Sequence, residues 1–424
     1  MPVYLFIHQN FPGQYRHVVR FLADQPENSV YFFTQPNGNW MRGVNKITYC
    51  VGQNGTVNCH PYSVEFDRAI RTGSVVAEEC RKLKRQGIRP DLIVGHSGWG
   101  ETLFVKEIFP DVPLLANFEF FYRPHGADIG FDPEFTSIFH NPSWLLARNA
   151  TTLLAYEAAD WGHAATRWQH SLFPESMRAR ITVLHEGVDT DLACPNPEAT
   201  FQIPGSNHSL TVRDEVVTYV ARNLEPYRGF HIFMRSLPEL MRRRKRLHVL
   251  IVGGDGISYG APAPPGSTFR KVMLDELGSA LDPQRVHFLG QVEYDTYLNV
   301  LKVSSVHVYL TYPFVLSWSF IEAMACGCLV VASSTAPVLE VLRDGKNGLL
   351  VDFFSPRALM AHIEEVLEHP DRMQSLRNAA RRTAISQYSL KRRQLPRWNA
   401  LFADLIENRA SKAQPGRQRR IASR

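Results

Sequence analysis

Two arginines, Arg222 and Arg228, stand in the segment ARNLEPYRGF (221–230), where a β-branched run gives way to a helical stretch. Guanidinium forks match phosphate oxygens in bidentate fashion. Such a pair suits a diphosphate that must leave with its charge neutralised. The other reading is two surface arginines on a loop; their place before Gly229, where the carboxyl end of a strand opens, favours the phosphate role. Further on, VHVYLTYPFVLSWSFIEAMACGCLVVAS (306–333) reads as strand, loop, helix, turn and strand. The loop 313–319 feeds a helix beginning near Ser317 to Ser319. Free N–H groups and the positive end of the helix dipole can hold a phosphate or sugar hydroxyls there. Glu322 falls in the first turns of that helix, among Phe320, Ile321, Ala323 and Met324. A carboxylate so placed can accept two hydrogen bonds from a vicinal diol such as a ribose, or it can simply satisfy the helix dipole.

These residues need a scaffold, and the order of elements supplies one. Strand-like runs fall at 4–10, 29–35, 47–51, 91–96 and 113–119 in the first half, and at 215–222, 247–254, 285–290, 306–312 and 329–333 in the second. Helical stretches lie between most of them. Continuous apolar strands alternating with helices predict parallel sheets covered on both faces. The pattern runs twice, separated by CPNPEATFQIPGSNHSLTVRDE (194–215), which is rich in Pro, Asn and Ser and has no period, and so reads as a linker. The expectation is two doubly wound, Rossmann-like α/β domains, at about 1–190 and 210–385, facing across a cleft. Ligands of such sheets bind beyond the carboxyl ends of the strands.

Composition sets the outer bounds. With 424 residues, 44% hydrophobic and 21% charged, the chain reads as an ordinary soluble globular protein of two or three domains. No run approaches the ~18–20 apolar residues of a membrane-spanning helix, and the start lacks the basic segment and cleavage site of a secretory signal. The net charge of +6 equals the six basic residues of the tail 409–424, which has no acidic residue. The body is therefore formally neutral, which argues against nucleic acid as a partner. The tail reads as disordered. The six cysteines include no C-x-x-C pair and read as reduced thiols of a cytoplasmic protein. No metal site is expected: Asp189-Thr190-Asp191 lies inside a turn segment, and there is no H-E-x-x-H. GHSGWG (95–100) falls short of a nucleophile elbow because Trp99 replaces the last glycine. GGDGISYG (253–260), with Gly254, lacks dinucleotide spacing and reads as a glycine loop facing a diphosphate or as a tight turn.

Six segments in order, VLHEGVDTDLACP (183–195), ARNLEPYRGF, LIVGGDG (250–256), RVHFLGQV (285–292), SFIEAMACGCLVVAS and LEVLRDGKNGLLV (339–351), resemble the signature segments of family 4 retaining glycosyltransferases with the GT-B fold. The likeness covers residues 183–352 and extends more weakly into the first domain through FPGQYRH (11–17). It implies that Arg222 and Arg228 grip the diphosphate of a nucleoside-diphosphate sugar and stabilise the leaving group. Glu322 matches the second glutamate of the family's Glu-x7-Glu motif and would bind the ribose. Val315, Leu316, Ser317, Trp318 and Ser319 would meet the donor sugar and phosphates, Gly290 to Val292 would flank the base, and Gly13 would admit the diphosphate close to the backbone. The resemblance implies no cofactor or metal beyond the donor substrate. It also implies an amphipathic segment, about 386–408, that crosses back to the first domain.

The sequence departs from the family in two places. The first motif glutamate would stand at 314, where this chain has Phe314. Family members often carry a histidine at the end of the strand 113–119, where this chain has Glu119, with His96 and His125 as neighbouring acceptor-side candidates. Tyr122 and Arg123 could stack on or bind an acceptor, whether glycan, polyprenyl-linked lipid or small molecule. The basic runs 80–89 and 241–246 read as solvated faces; in the family's membrane-acting members a basic helix docks on anionic lipid, so peripheral contact at the inner membrane face is the other reading of 80–89. The expected activity is retaining transfer of a sugar. Its rivals are a nucleotide-sugar-binding protein with altered or lost activity and a GT-B phosphorylase or synthase. Base, sugar, acceptor and oligomeric state are not legible.

Overall fold

The computed structural model describes residues 1–52, 59–135 and 141–412, with side chains to residue 408. Most of the basic tail therefore lies outside the described residues. The chain divides into two compact units. The first comprises Met1–Tyr122, Asn141–Gly187 and Lys391–Arg424; the second comprises Arg123–His140 and Val188–Leu390.

The first unit is built on seven parallel strands: β1 (Val3–Ile7), β2 (Ser29–Thr34), β3 (Val44–Thr48), β4 (Leu92–His96), β5 (Leu114–Asn117), β6 (Trp161–Ala164) and β7 (Ile181–Val183), in the order β3-β2-β1-β4-β5-β6-β7. A small antiparallel hairpin follows, β8 (Thr200–Gln202) with β9 (Ser209–Thr211). The second unit has six parallel strands: β10 (Val216–Asn223), β11 (His248–Gly254), β12 (Val286–Gly290), β13 (Val306–Tyr309), β14 (Leu329–Ser333) and β15 (Leu349–Val351), in the order β12-β11-β10-β13-β14-β15. Both sheets are doubly wound. Strand order reverses between β1 and β4 in one unit and between β10 and β13 in the other, and ligands of such sheets bind at these switch points.

The segment 194–215, expected to be an aperiodic linker, instead folds into the hairpin β8–β9. Its few apolar residues explain this: Ala199, Phe201, Ile203 and Leu210 are buried against Val216, Leu250, Val252, Val300 and Val303. The boundaries expected at 1–190 and 210–385 shift for a second reason. Residues 123–135, placed by sequence in the first domain, make their contacts in the second unit. Tyr227 donates its hydroxyl to Asp128 (2.9 Å), Tyr312 donates to Asp132 (2.8 Å), and Arg235 forks onto both oxygens of Glu134 (2.6 and 2.7 Å). Phe131 packs its ring against Tyr312, Phe353 and Phe354, each centroid 5.1 Å away. This strap thus rests on the two loops that follow β10 and β13. At the other end of the chain the helix Leu395–Lys412 returns to the first unit, where Trp398 and Phe402 are buried against Tyr4 and Phe6.

Four buried histidines bear on stability. Burial pushes His8, His163, His185 and His307 down to about 3, whereas an unfolded histidine titrates near ~6.5. Below that value the unfolded chain binds more protons than the native one, so stability falls as pH falls from ~6.5 toward the folded values. Thermal unfolding followed by circular dichroism should show Tm dropping continuously from pH 7 to pH 5; a flat Tm across that range would contradict the burial of these rings as neutral groups.

Candidate functional site

In the second unit, Arg228 ends a short turn after β10, Pro226–Arg228, that Gly229 closes in a left-handed conformation (φ 65°). A side chain at Gly229 would strike Leu310, with a Cβ only 2.4 Å from its Cβ, so the tight turn requires glycine there. The turn sends the guanidinium inward, where Arg228 is only 6% exposed. Its Nη1 donates to Thr311 Oγ1 (2.8 Å), Val315 O (3.0 Å) and Tyr309 Oη (3.2 Å), and the Tyr259 ring lies 5.2 Å from the guanidinium carbon. Burial works against the charge, but Tyr309, Tyr259 and Glu225 around it outweigh burial and hold the pKa above its ordinary value. Among the described residues no carboxylate lies within ion-pairing distance of it. A buried guanidinium whose hydrogen-bond partners are neutral, with Glu225 acting on it only from beyond ion-pairing distance, can still take an anion. Arg222, by contrast, is exposed on the last turns of β10. The two arginines do not share one environment.

The loop after β13 is tied to Arg228 at both ends. Tyr312 N–H donates to Tyr227 O (2.9 Å), and Tyr309 Oη accepts from Arg228 and from the N–H of Ser317 (2.9 Å). Ser317 is the N-cap of the helix Trp318–Ala325, its Oγ accepting from Ser319 N (3.3 Å). Val315 and Ser319 are buried, while Leu316, Ser317 and Trp318 are half-buried. Phe314, in the place of the family's first glutamate, is buried against Tyr259 (4.9 Å between centroids) and Tyr227 (5.5 Å). One turn into the helix, Glu322 accepts hydroxyl bonds from Tyr294 on Oε1 (2.8 Å) and Tyr297 on Oε2 (2.6 Å). Val292, Tyr294 and Leu316 fringe the same core cluster that holds Tyr297 and Phe320, so the segment after β12 and the helix of Glu322 are brought together. Gly290 closes β12 with φ 66° and open space around it.

The glycine loop after β11 is held by a carboxylate, as one of its two readings, a tight turn, allows. The fully buried carboxylate of Glu225 accepts from the N–H groups of Ser258, Tyr259 and Gly260 at 3.1–3.3 Å. Those three donors hold the loop in place and are not turned to a phosphate. Gly254 is needed because a Cβ would come 2.7 Å from Asn223 Oδ1. Glu225 escaped the sequence reading, although it sits between the two arginines that were singled out.

The first unit gathers its own polar group at its switch point. Glu119, just past β5, accepts from Gln14 Nε2 (2.8 Å) on one oxygen, and His96, the last residue of β4, stands 3.5 Å from the other. Its backbone carbonyl accepts from Gln169 (2.7 Å). His8 and Gln14, both missed in the sequence, complete the group. The signal for His8 was its place beyond the carboxyl end of β1. Gly13 (φ 54°) is explained by this neighbour: a Cβ there would lie 2.7 Å from the His8 ring. Of the four acceptor-side candidates only His96 lies against Glu119. Tyr122 is held instead by Arg148, which donates to its hydroxyl (2.9 Å) and stacks 4.2 Å over its ring. Arg123 opens the strap of the second unit, and His125 is exposed on it.

The basic runs are largely compensated. Within 80–89, Arg81 pairs with Glu78 (2.6 Å), Lys82 with Glu79 (2.7 Å) and Arg89 with Asp111 (3.1 Å), while Lys84 caps the carbonyl of Ile108. Within 241–246, Arg242 and Arg243 share Glu239, and Arg244 and Arg246 approach Glu215. No helix among the described residues is long and apolar enough to cross a membrane.

Two family models match the chain: the glycosyl transferase family 4 group over residues 26–193 and glycosyl transferases group 1 over 206–383. A D-inositol 3-phosphate glycosyltransferase of Rhodococcus jostii (strain RHA1) is 30% identical over 215 residues, 48% of this chain and 45% of that protein. The aligned stretch therefore spans less than half of that relative. A GDP-mannose-dependent alpha-(1-6)-phosphatidylinositol monomannoside mannosyltransferase of Mycolicibacterium smegmatis is 26% identical over 278 residues, 64% of this chain and 68% of that protein. Among solved structures, sucrose-phosphate synthase from Thermosynechococcus elongatus has a TM-score of 0.69 at 18% identity, covering 96% of this chain and 100% of that one. Anabaena HepE in complex with UDP has a TM-score of 0.61 at 15% identity, covering 97% and 99%. At these identities the structural likeness shows the fold.

The tyrosine pair on Glu322 gives a direct check of this geometry. Replacing Tyr297 by Phe removes a charge-assisted hydrogen bond from a buried carboxylate and should cost about 1–3 kcal/mol of stability. Urea denaturation of the variant tests this; an unshifted midpoint would mean that Tyr297 does not hold Glu322.

Proposed function

Because the chain belongs to family 4 of the glycosyltransferases, with the two-domain GT-B fold, we propose that it moves a sugar from a nucleoside-diphosphate sugar to a hydroxyl acceptor with retention of configuration. The observation that carries this reading is the buried guanidinium of Arg228, held by neutral hydrogen-bond partners at the β10–β13 switch point. When the glycosidic bond to the diphosphate breaks, negative charge grows on the departing oxygens. A cation already oriented by Thr311, Val315 and Tyr309 meets that charge without reorganising, which stabilises the transition state more than the ground state. Arg222, exposed at the end of β10, supplies a second cation to the outer phosphate. The first turn of the helix Trp318–Ala325 offers its N–H end to the phosphates and sugar. Glu322, held in place by Tyr294 and Tyr297, takes the ribose diol. Val292 and Leu316, beside Tyr294, flank the base.

As proposed for the family, the acceptor attacks from the face that the diphosphate leaves, which retains the anomeric configuration. The charge is met by arginine, and the reading asks for no resident metal or other cofactor. Glu119 of the first unit serves the acceptor or the donor sugar as a hydrogen-bond acceptor. The compensated basic runs weaken the case for peripheral docking on anionic lipid.

One observation favours a second reading. Phe314 fills the place of a family carboxylate with an aromatic ring packed on Tyr259 and Tyr227. It can neither accept a hydrogen bond from a donor sugar nor balance positive charge on it. Either the donor sugar is held by other groups, or the protein binds nucleotide sugar without transferring it.

A panel of nucleoside-diphosphate sugars, scored by thermal shift and by slow release of diphosphate, separates these readings. At least one donor should raise Tm and release nucleoside diphosphate in the absence of acceptor, and Glu322→Ala should weaken its binding about tenfold or more. Binding without release under any acceptor would establish the second reading. Unchanged donor affinity in Glu322→Ala would reject the ribose assignment, and turnover that requires inorganic phosphate instead of nucleotide would identify a phosphorylase.

A further inference from the structure

The hydrogen bonds around Glu119 fix more than its position. His8 is 2% exposed, and its Nδ1 accepts the N–H of Asn10 (2.9 Å). Its proton therefore sits on Nε2, which lies 2.5 Å from Gln14 Oε1 and donates to it. That bond leaves the amide nitrogen of Gln14 facing Glu119, to which it donates. His96 repeats the pattern. Its Nδ1 accepts the N–H of Gly98 (3.0 Å), so its Nε2 carries the proton toward Glu119 Oε2. That Nε2 is buried. Trp99 stacks on the His96 ring at 3.9 Å and meets His8 edge-on at 5.2 Å, which locks both rings.

The electrostatics of the group follow from these bonds. Burial holds His8 neutral, down at about 3. Burial also works against an ionised Glu119, but His96, His8 and Gln14 outweigh it and keep the carboxyl below its ordinary range. The Glu119 side chain is 30% exposed, so it reaches solvent, while His8 and His96 behind it are buried. Among the described residues no lysine or arginine contacts His8, Gln14, His96 or Glu119. The result is a fixed, anionic hydrogen-bond acceptor with no lysine or arginine beside it among the described residues.

We propose that Glu119, aimed by the His8–Gln14 pair and by His96, takes a hydroxyl of an uncharged sugar or polyol and discriminates against phosphate esters. A hydroxyl donates to the carboxylate and gains a charge-assisted bond. A phosphate meets like charge and would lose its hydration with no cation to replace it. His8 and Gln14 act through Glu119 and are positioning residues. In calling that sugar the acceptor, the inference rests on the transferase reading above.

Titration calorimetry of the full chain with myo-inositol, glucose, inositol 3-phosphate and glucose 6-phosphate, with and without UDP, tests this. At least one neutral compound should bind at least tenfold more tightly than its phosphate ester, and Glu119→Gln should cut that ratio severalfold. In wild type, neutral-sugar binding should persist until the pH falls below the ordinary carboxylate range. In Gln14→Leu, which takes one donor from Glu119, the acid loss of binding should begin at higher pH. Tighter binding of the phosphate esters, or binding of neither class, would overturn the inference; an unmoved acid limb in Gln14→Leu would remove Gln14 as a positioning residue. Slow release of diphosphate from a donor without acceptor is measured in parallel. If release fails while neutral sugars bind at Glu119, the transferase reading fails and the site stands; if release occurs and phosphate esters bind better, only this inference fails.

Discussion

A buried cation without a carboxylate partner constrains the whole pole of the second unit. Taking a guanidinium out of water costs several kcal/mol unless its donors find acceptors. Here the acceptors are neutral: a threonine hydroxyl, a tyrosine hydroxyl and a backbone carbonyl. They satisfy hydrogen bonds and leave the charge. To hold them in place the loop after β13 must follow one path, and that path delivers Ser317 to the start of the helix that carries Glu322. Gly229, Thr311, Tyr309 and Ser317 are thus explained by a single requirement, the orientation of Arg228.

The strap 123–135 fits the same logic from the outside. Tyr227 and Tyr312 belong to the two loops that the strap touches, and their hydroxyls donate to Asp128 and Asp132. Asp132 is 3% exposed; burial pushes its pKa up, but His231, Tyr312 and the N–H of Glu134 outweigh that and hold it down. It stays charged and keeps both ends of the contact ordered. A stretch that belongs by sequence to the first half of the chain therefore braces the phosphate-facing loops of the second. The first unit uses the opposite sign at the equivalent point of its sheet: a carboxylate braced by neutral donors.

Ten of the strands were legible because continuous Val, Ile, Leu and aromatic runs announce a parallel sheet. The missed β7 and β15 are only three residues long, too short for a run to stand out. WGHA, in β6, has no β-branched residue to mark it as a strand. The hairpin β8–β9 hides four apolar residues in a polar stretch. Among the site residues, Arg228 and Glu322 were readable because a strand end and a helix start flank them. Glu225, His8 and Gln14 were not, since each acts on a partner at long range: Glu225 on a loop more than thirty residues on, Gln14 on Glu119 at a separation of 105. The strap was illegible for the same reason, its contact from Asp128 to Tyr227 spanning 99 residues. Gly13, read as admitting a diphosphate close to the backbone, also has a local reason to be glycine, since a Cβ there would strike the His8 ring.

The most direct test of the central claim is the affinity of a nucleoside diphosphate for Arg228→Gln. With the tightest-binding of UDP, GDP and ADP as probe, calorimetry should show at least a tenfold loss for the diphosphate and little change for the corresponding nucleoside. Undiminished diphosphate affinity, or an equal loss for the nucleoside, would contradict a role for that buried charge in holding the leaving group.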